Sequence, residues 1–386
     1  TFIIVATNVA RHDGNLPLVI GITILSSSYI DFSTSGLENP LTCLLLALSL
    51  SVYLSPAWKG HRSLFLLALL TGLVALTRQD ATLLVAPLLG YRLLSSRKAE
   101  SLLVALAGFA PYIYWTLFSL FYYGFPFPNT AYAKLGTGIP AWDLIKQGMF
   151  YFANCIEHDP LTLIAIAAAA VYPIVAKDWL YGMISIGIML YLMYVTKIGG
   201  DFMSGRFFMA PLLCSLFVIG RTRRFPGLQT LAIFSTVAMI GLWNPFNPLN
   251  GKGGGIDAHG IADEQAVYYE PTGRFTSARI AGLPRDYPFI RDGKKLRDEA
   301  KRWVRTSAFV FETHPKARTT GMMGYFSGPS VHIVDTYALA DPLLSRIPMR
   351  SDNNWRIGHF IRIPPEGYAE TLRIGKDVIE DRKLAE

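Results

Sequence analysis

The chain has 386 residues; 51% are apolar and 17% are charged, and the mean hydropathy is +0.32. That balance is too apolar for a soluble globule of this length. The formal charge of +8 is explained by basic loops on a membrane protein, so no nucleic-acid partner is expected.

The average conceals a break near residue 246. Residues 1–245 carry 25 of the 64 Asp, Glu, Lys and Arg residues, and residues 246–386 carry the other 39. The expectation is a lipid-embedded multispanning domain over 1–245 and a water-exposed domain over 246–386. The chain opens on Thr1 inside an apolar run with no signal-peptide n-region, and reads as a piece that lacks earlier spans. Apolar runs follow at 1–10, 16–30, 41–57, 63–77, 81–94, 102–123, 160–176, 179–196, 207–220 and 228–245, giving about nine spans. Several are shorter than the roughly 20 residues that cross a bilayer straight, which a bundle tolerates when neighbours cover the ends. Cys43, Cys155 and Cys214 lie in or beside these runs without metal-ligand spacing, so they read as small apolar residues, with neither a disulfide framework nor a zinc site.

Alternating the loops sets the orientation. One set holds Arg11, Lys59, Arg62, Arg92, Arg97, Lys98, Lys177, Arg221, Arg223 and Arg224; the other holds Arg78, Lys134, Lys146, Lys197 and Arg206. The richer set marks the cytoplasmic face, which puts the domain after residue 245 outside the cytoplasm. Seven of the ten carboxylates in 1–245 fall on the outer side: Asp31, Glu38, Asp80, Asp143, Glu157, Asp159 and Asp201. The orientation rule does not explain them, and charges beside hydrocarbon suggest a site there.

Four outer-face stretches carry the candidates. Asp31 to Pro40, with Glu38 inside it, reads as a loop turning into a helix, either an interfacial cap or a wall of a substrate cavity. Arg78-Gln-Asp80 joins two spans; residues i and i+2 do not face each other on a helix. Arg78 is therefore either a snorkelling interfacial charge or a fork aimed at phosphate oxygens. Tyr122 to Lys134 mixes aromatics with Gly and Pro before a short helix near Asn129, either an aromatic belt or a head-group contact through Asn129 and Lys134. Gly199-Gly-Asp201-Phe-Met-Ser-Gly-Arg206 joins two spans. Asp201 and Arg206 either pair internally or serve a site, with Arg206 for an anionic group and Asp201 for hydroxyls or for orienting Arg206.

Residues 246–274 read as an irregular connection with Gly251 to Gly255 as its flexible part, Lys294 to Arg305 as an amphipathic helix and Val331 to Asp335 as a strand ending in a carboxylate. The mixture suggests a small α/β domain. Asp335, Asp341 and His359 are candidates for a cavity lining, with structural capping as the alternative for the acids.

Together, Thr34-Ser-Gly-Leu-Glu38, Tyr123-Gly-Phe-Pro-Phe-Pro-Asn129-Thr-Ala, Gly199-Gly-Asp201-Phe-Met-Ser-Gly-Arg206 and Asp335 to Asp341-Pro resemble the terminal beta-(1->2)-arabinofuranosyltransferase family of mycobacterial cell-wall arabinan and its bacterial relatives, within the GT-C superfamily. Ala338-Leu339 stands where relatives tend to have Gly-Leu. The resemblance implies a GT-C-type helical bundle in the bacterial cytoplasmic membrane, with its C-terminal domain outside. It implies an inverting glycosyltransferase that takes a sugar, arabinofuranose or another, from a polyprenyl-phosphate donor to a cell-envelope glycan acceptor. Arg206, Arg78 and Lys134 would balance the leaving phosphate, with Asp80, Asn129 and Glu38 beside them. The family's main base would lie upstream of Thr1, leaving Asp201 and Asp31 as the carboxylates of this chain suited to take the acceptor proton. No cofactor is implied, and a divalent metal is left open. A transporter or a non-catalytic glycan-binding membrane protein are the rival readings.

Overall fold

The computed structural model describes residues 1–11, 15–96, 98–222, 227–244, 255–264, 287–302, 308–311, 320–350 and 355–385. Contacts divide the chain into two units: Thr1–Pro126 with Pro140–Ala266, and Phe127–Ile139 with Val267–Glu386.

The first unit is helical. Its helices are α1 (Phe2–Arg11), α2 (Leu16–Leu25), α3 (Ser27–Ser33), α4 (Asn39–Leu54), α5 (Gly60–Thr77), α6 (Thr82–Ser96), α7 (Glu100–Gly108) and α8 (Ala110–Tyr123). After α9 (Asn129–Leu135), which belongs to the second unit, come α10 (Ala141–His158), α11 (Pro160–Val175), α12 (Trp179–Lys197), α13 (Met209–Arg221) and α14 (Gly227–Trp243). Every residue of α13 from Met209 to Gly220 is buried. A helix apolar on all sides needs such a central place, and α4, α11 and α12 pack around it.

Alone, α5 and α12 are long and apolar enough to cross a membrane. Three bent pairs pass together: α2 with α3 (72°), α7 with α8 (61°) and α10 with α11 (113°). By length and composition this gives two spans, or up to five if each pair is one span, among the described residues. About nine were expected from the sequence. The difference arises because apolar runs such as those of α4 and α14 form helices under 18 residues long. These helices fit a membrane bundle. Helix α10 has no counterpart among the expected spans. Its buried positions Gln147, Gly148, Tyr151, Asn154 and Cys155 recur at helical spacing, but too many polar residues lie between them for an apolar run.

The second unit adds α15 (Pro288–Arg302), α16 (Met322–Ser327), α17 (Tyr368–Ile374) and α18 (Arg382–Ala385) to α9. Helix α15 begins six residues before the expected Lys294; residues 303–305 of that expectation lie outside the described residues, as do Gly251 to Gly254 and the basic residues Arg97, Arg223 and Arg224. Strand β1 (Ala308–Phe311) pairs in parallel with β2 (Val331–Val334), from Ala308 opposite Val331 to Phe311 opposite Val334. This two-stranded pair is the only sheet among the described residues. Ala133, Val334, Ala338, Leu344, Tyr368 and Ile379 form a core. Arg362, only 1% exposed, donates from Nη2 to Ala133 O (2.6 Å), from Nη1 to Phe360 O (2.7 Å) and from Nε to Ile347 O (3.3 Å). A buried guanidinium is tolerated because its donors meet carbonyls, and here they fasten α9 into the unit.

Candidate active site

Three breaks between helices of the first unit bring five charged side chains together. The first lies between α3 and α4, where Glu38 occupies the position before Asn39 and Pro40 start α4. The second follows α5. Arg78 closes that helix through its amide to Val74 O, then turns extended (φ −157°, ψ 103°) into a 3₁₀ turn over Gln79–Ala81. That change of direction lets Arg78 reach Asp80, which helical geometry would forbid. Nε lies 3.0 Å from both carboxylate oxygens, and Nη2 lies 3.0 Å from Oδ2.

The third break, from Gly199 to Phe208, carries Asp201 and Arg206. Three left-handed glycines, Gly199 (φ +86°), Gly200 and Gly205, shape it. Gly200 (φ +73°) packs so that a Cβ would lie 2.5 Å from the Tyr151 ring, and Gly205 (φ +75°) so that one would lie 2.6 Å from Ser28 Oγ. Tyr151 of α10 clamps the loop from beneath, its hydroxyl donating to Met203 O (3.0 Å) and accepting from Phe207 N (3.1 Å). From the other side, Ala262 N donates to Phe202 O (2.7 Å) and Ser204 N to Ala262 O (2.9 Å). Asn154 ties these parts together, receiving Ser204 Oγ at 2.6 Å and donating to Asp257 Oδ2 at 2.9 Å. The sequence reading missed Tyr151, Asn154 and the 256–262 segment. The helical recurrence of polar residues along α10 was the available signal.

Arg206 donates from Nη1 to Asp201 Oδ2 (3.0 Å) and from Nη2 to Glu38 Oε1 (2.8 Å). The same Glu38 oxygen lies 3.6 Å from Arg78 Nη1. The Arg78 guanidinium sits 4.4 Å from the centre of the Phe207 ring. Asp201 is 1% exposed, and its Oδ1 accepts from Phe202 N at 3.0 Å. Two guanidiniums thus face three carboxylates, a formal excess of one negative charge. Burial raises the Glu38 pKa, but the charges of Arg206 and Arg78 outweigh it and hold the carboxyl below its ordinary value. Burial opposes the charge on each arginine as well. The carboxylates Asp201 and Glu38 outweigh it and raise the pKa of Arg206, and Asp80 and Glu38 contribute in the same direction for Arg78.

Asp31 lies on α3, which packs against the Arg206–Phe208 turn; its Oδ1 is buried with no hydrogen-bond partner. Asp159, one of the seven carboxylates expected on the outer side, is a structural pin. It accepts from Ser26 Oγ, Ser28 N, Thr162 N and Thr162 Oγ1, joining the starts of α3 and α11.

The remaining candidates lie in the second unit. Asn129 Oδ1 accepts from Arg346 Nη1 (3.1 Å), and Lys134 is half-buried on the same helix. Asp335 accepts from the amides of Tyr337, Leu339 and Ala340. Asp341 accepts from Leu343 N, Leu344 N and the Tyr368 hydroxyl. Both acids have the geometry of turn caps. His359 Nδ1 faces Ile357 O at 3.3 Å, and its ring meets Tyr337 edge-on.

The chain is similar to the terminal beta-(1->2)-arabinofuranosyltransferase of Mycobacterium tuberculosis, with 26% identity over a gapped alignment of 423 positions that covers 87% of this chain. The chain spans 64% of that relative's length. This similarity supports a related glycosyltransferase family. No family model matches the chain, and no solved structure matches it.

Proposed function

We propose that the protein acts as a glycosyltransferase of the bacterial cytoplasmic membrane, moving a sugar from a polyprenyl-phosphate donor to a cell-envelope glycan on the outer side. The observation that carries this reading is the meeting of Arg78 and Arg206, from two separate helix breaks, on one oxygen of Glu38. Two fixed guanidiniums converging on one point suit a phosphoryl group, and they would stabilise the charge that grows on it as it leaves.

In the proposed step an acceptor hydroxyl oxygen attacks the anomeric carbon from the face opposite the phosphate. The bond from that carbon to the phosphate oxygen breaks, its electrons stay with the lipid phosphate, and a carboxylate takes the hydroxyl proton. Within this chain Asp31 suits the proton better than Asp201, because Asp31 Oδ1 is unpartnered whereas both Asp201 oxygens are bonded. Asp201 orients Arg206. Arabinofuranose as the sugar, inversion as the stereochemical outcome, and an extracytoplasmic second unit belong to the same proposal.

The test uses the full-length protein in sealed vesicles with a radiolabelled prenyl-phosphate sugar and an oligosaccharide acceptor. Label passing to the acceptor, with release of prenyl phosphate, supports transfer. Sugar accumulating inside the vesicles without transfer would establish a transporter instead, and binding without turnover a scaffold.

A further inference from the structure

The five-charge cluster has one member unlike the rest. Asp201, Arg78, Arg206 and Asp80 have side chains 1%, 7%, 14% and 16% exposed, whereas Glu38 is 28% exposed. Asp201 and Asp80 each hold the arginine of their own loop through a short contact, and Asp201 also accepts from Phe202 N. Glu38 alone touches both arginines, and it does so through the single oxygen Oε1. The bridge is uneven: Oε1 receives a hydrogen bond from Arg206 Nη2 but is too far from Arg78 Nη1 for one. Arg78 Nη1 and Arg206 Nε are buried with no hydrogen-bond partner. Buried charged donors left unused are costly, and two of them beside one shared anion mark a place that an anion with more oxygens would fill better.

We propose that Glu38 is an internal stand-in for the donor's phosphate: its carboxylate holds the two arginines in register while the site is unliganded and is displaced when a phosphate arrives. This rests on the glycosyltransferase reading and adds an exchange step to it. Charge supports the exchange. With Glu38 in place the cluster carries one excess negative charge, so a phosphate added beside it would be repelled. With Glu38 withdrawn, two guanidiniums face two carboxylates, Asp201 and Asp80, and the vacated point is where both forks converge. The side chain has a way out, because Glu38 ends the exposed Thr34–Leu37 loop and is the most open of the five. The exchange also provides selectivity, since a neutral head group has nothing to offer in return for the lost Glu38 contacts.

The test is binding of farnesyl phosphate, and separately of inorganic phosphate, to the detergent-solubilised full-length protein. Glu38→Gln removes the competing charge with little change of shape, and its affinity for farnesyl phosphate should rise on the order of tenfold. Glu38→Asp keeps the charge but shortens its reach, and should show a smaller gain in the same direction. This second variant carries the test if Glu38→Gln fails to fold. A gain for both probes supports exchange with phosphate in general, and a gain for farnesyl phosphate alone supports a lipid-borne source. Unchanged or weaker binding by both variants overturns the stand-in role. Arg206→Ala separates the two layers of argument. If it loses farnesyl phosphate while the Glu38 variants gain nothing, the glycosyltransferase site stands and only the exchange falls. If it binds as the wild type does, the phosphate lies elsewhere and both fall.

Discussion

Arg206→Lys tests whether geometry or charge alone matters at the site. Arg206 uses two separate nitrogens, Nη1 to Asp201 at 3.0 Å and Nη2 to Glu38 at 2.8 Å, and is only 14% exposed. A lysine keeps the charge, but its single ammonium cannot place two donors in the same fork. The loss is about one charge-assisted hydrogen bond, roughly 1.5–3 kcal/mol. If that bond also holds the donor phosphate in the transition state, transfer should slow by about 10- to 100-fold. Arg206→Ala goes further, leaving Asp201 buried without its counter-ion at a cost of about 3–5 kcal/mol, so stability must be read alongside rate. The assay is transfer from a prenyl-phosphate sugar in membranes holding the full-length protein, with thermal unfolding in detergent as the folding control. A folded Arg206→Lys protein that transfers within about twofold of the wild type would refute the reasoning.

Gly205→Ala should distort the Arg206 loop, because it forces a side chain into φ +75° and against Ser28 Oγ; a cost above about 1–2 kcal/mol in thermal unfolding is expected, with transfer falling further than stability. Acidification should act through Glu38. Its carboxyl is held below the ordinary value in the folded protein, so its stabilising contribution is complete above the unfolded-state pKa and is lost as pH falls through the depressed value. The melting temperature should fall as pH drops through that depressed value, and Glu38→Gln should remove part of that fall. In the second unit, Ala338 is fully buried at φ +63°, a conformation that glycine adopts without strain. Ala338→Gly should be tolerated within about 1 kcal/mol, whereas a β-branched Ala338→Val should cost more than about 2 kcal/mol on denaturant unfolding.

Much of the fold was legible because hydrophobic periodicity is local. The runs at 63–77, 160–176 and 179–196 became α5, α11 and α12 to within a few residues, and the strand at 331–334 stands where β-branched residues alternate. Helix α10 was not legible as an element, since its buried face is built from Gln147, Tyr151 and Asn154 instead of aliphatic residues. The grouping of candidates was not legible either. Spacing alone kept Arg78 and Asp80 apart, because it assumed a helix where the backbone is extended. Nor did spacing show that Asp159 is a pin between helix starts, or that Asn129 and Lys134 fold with the second unit.

By itself, then, the sequence determined where the chain is apolar, where glycine and proline break it, and which breaks carry charge, since each depends on residues a few positions apart. Only the tertiary structure decided that Glu38, Arg78, Asp80, Asp201 and Arg206 meet. Their contacts join positions up to 168 residues apart, and the packing of α3, α5 and α10 fixes where those three breaks converge.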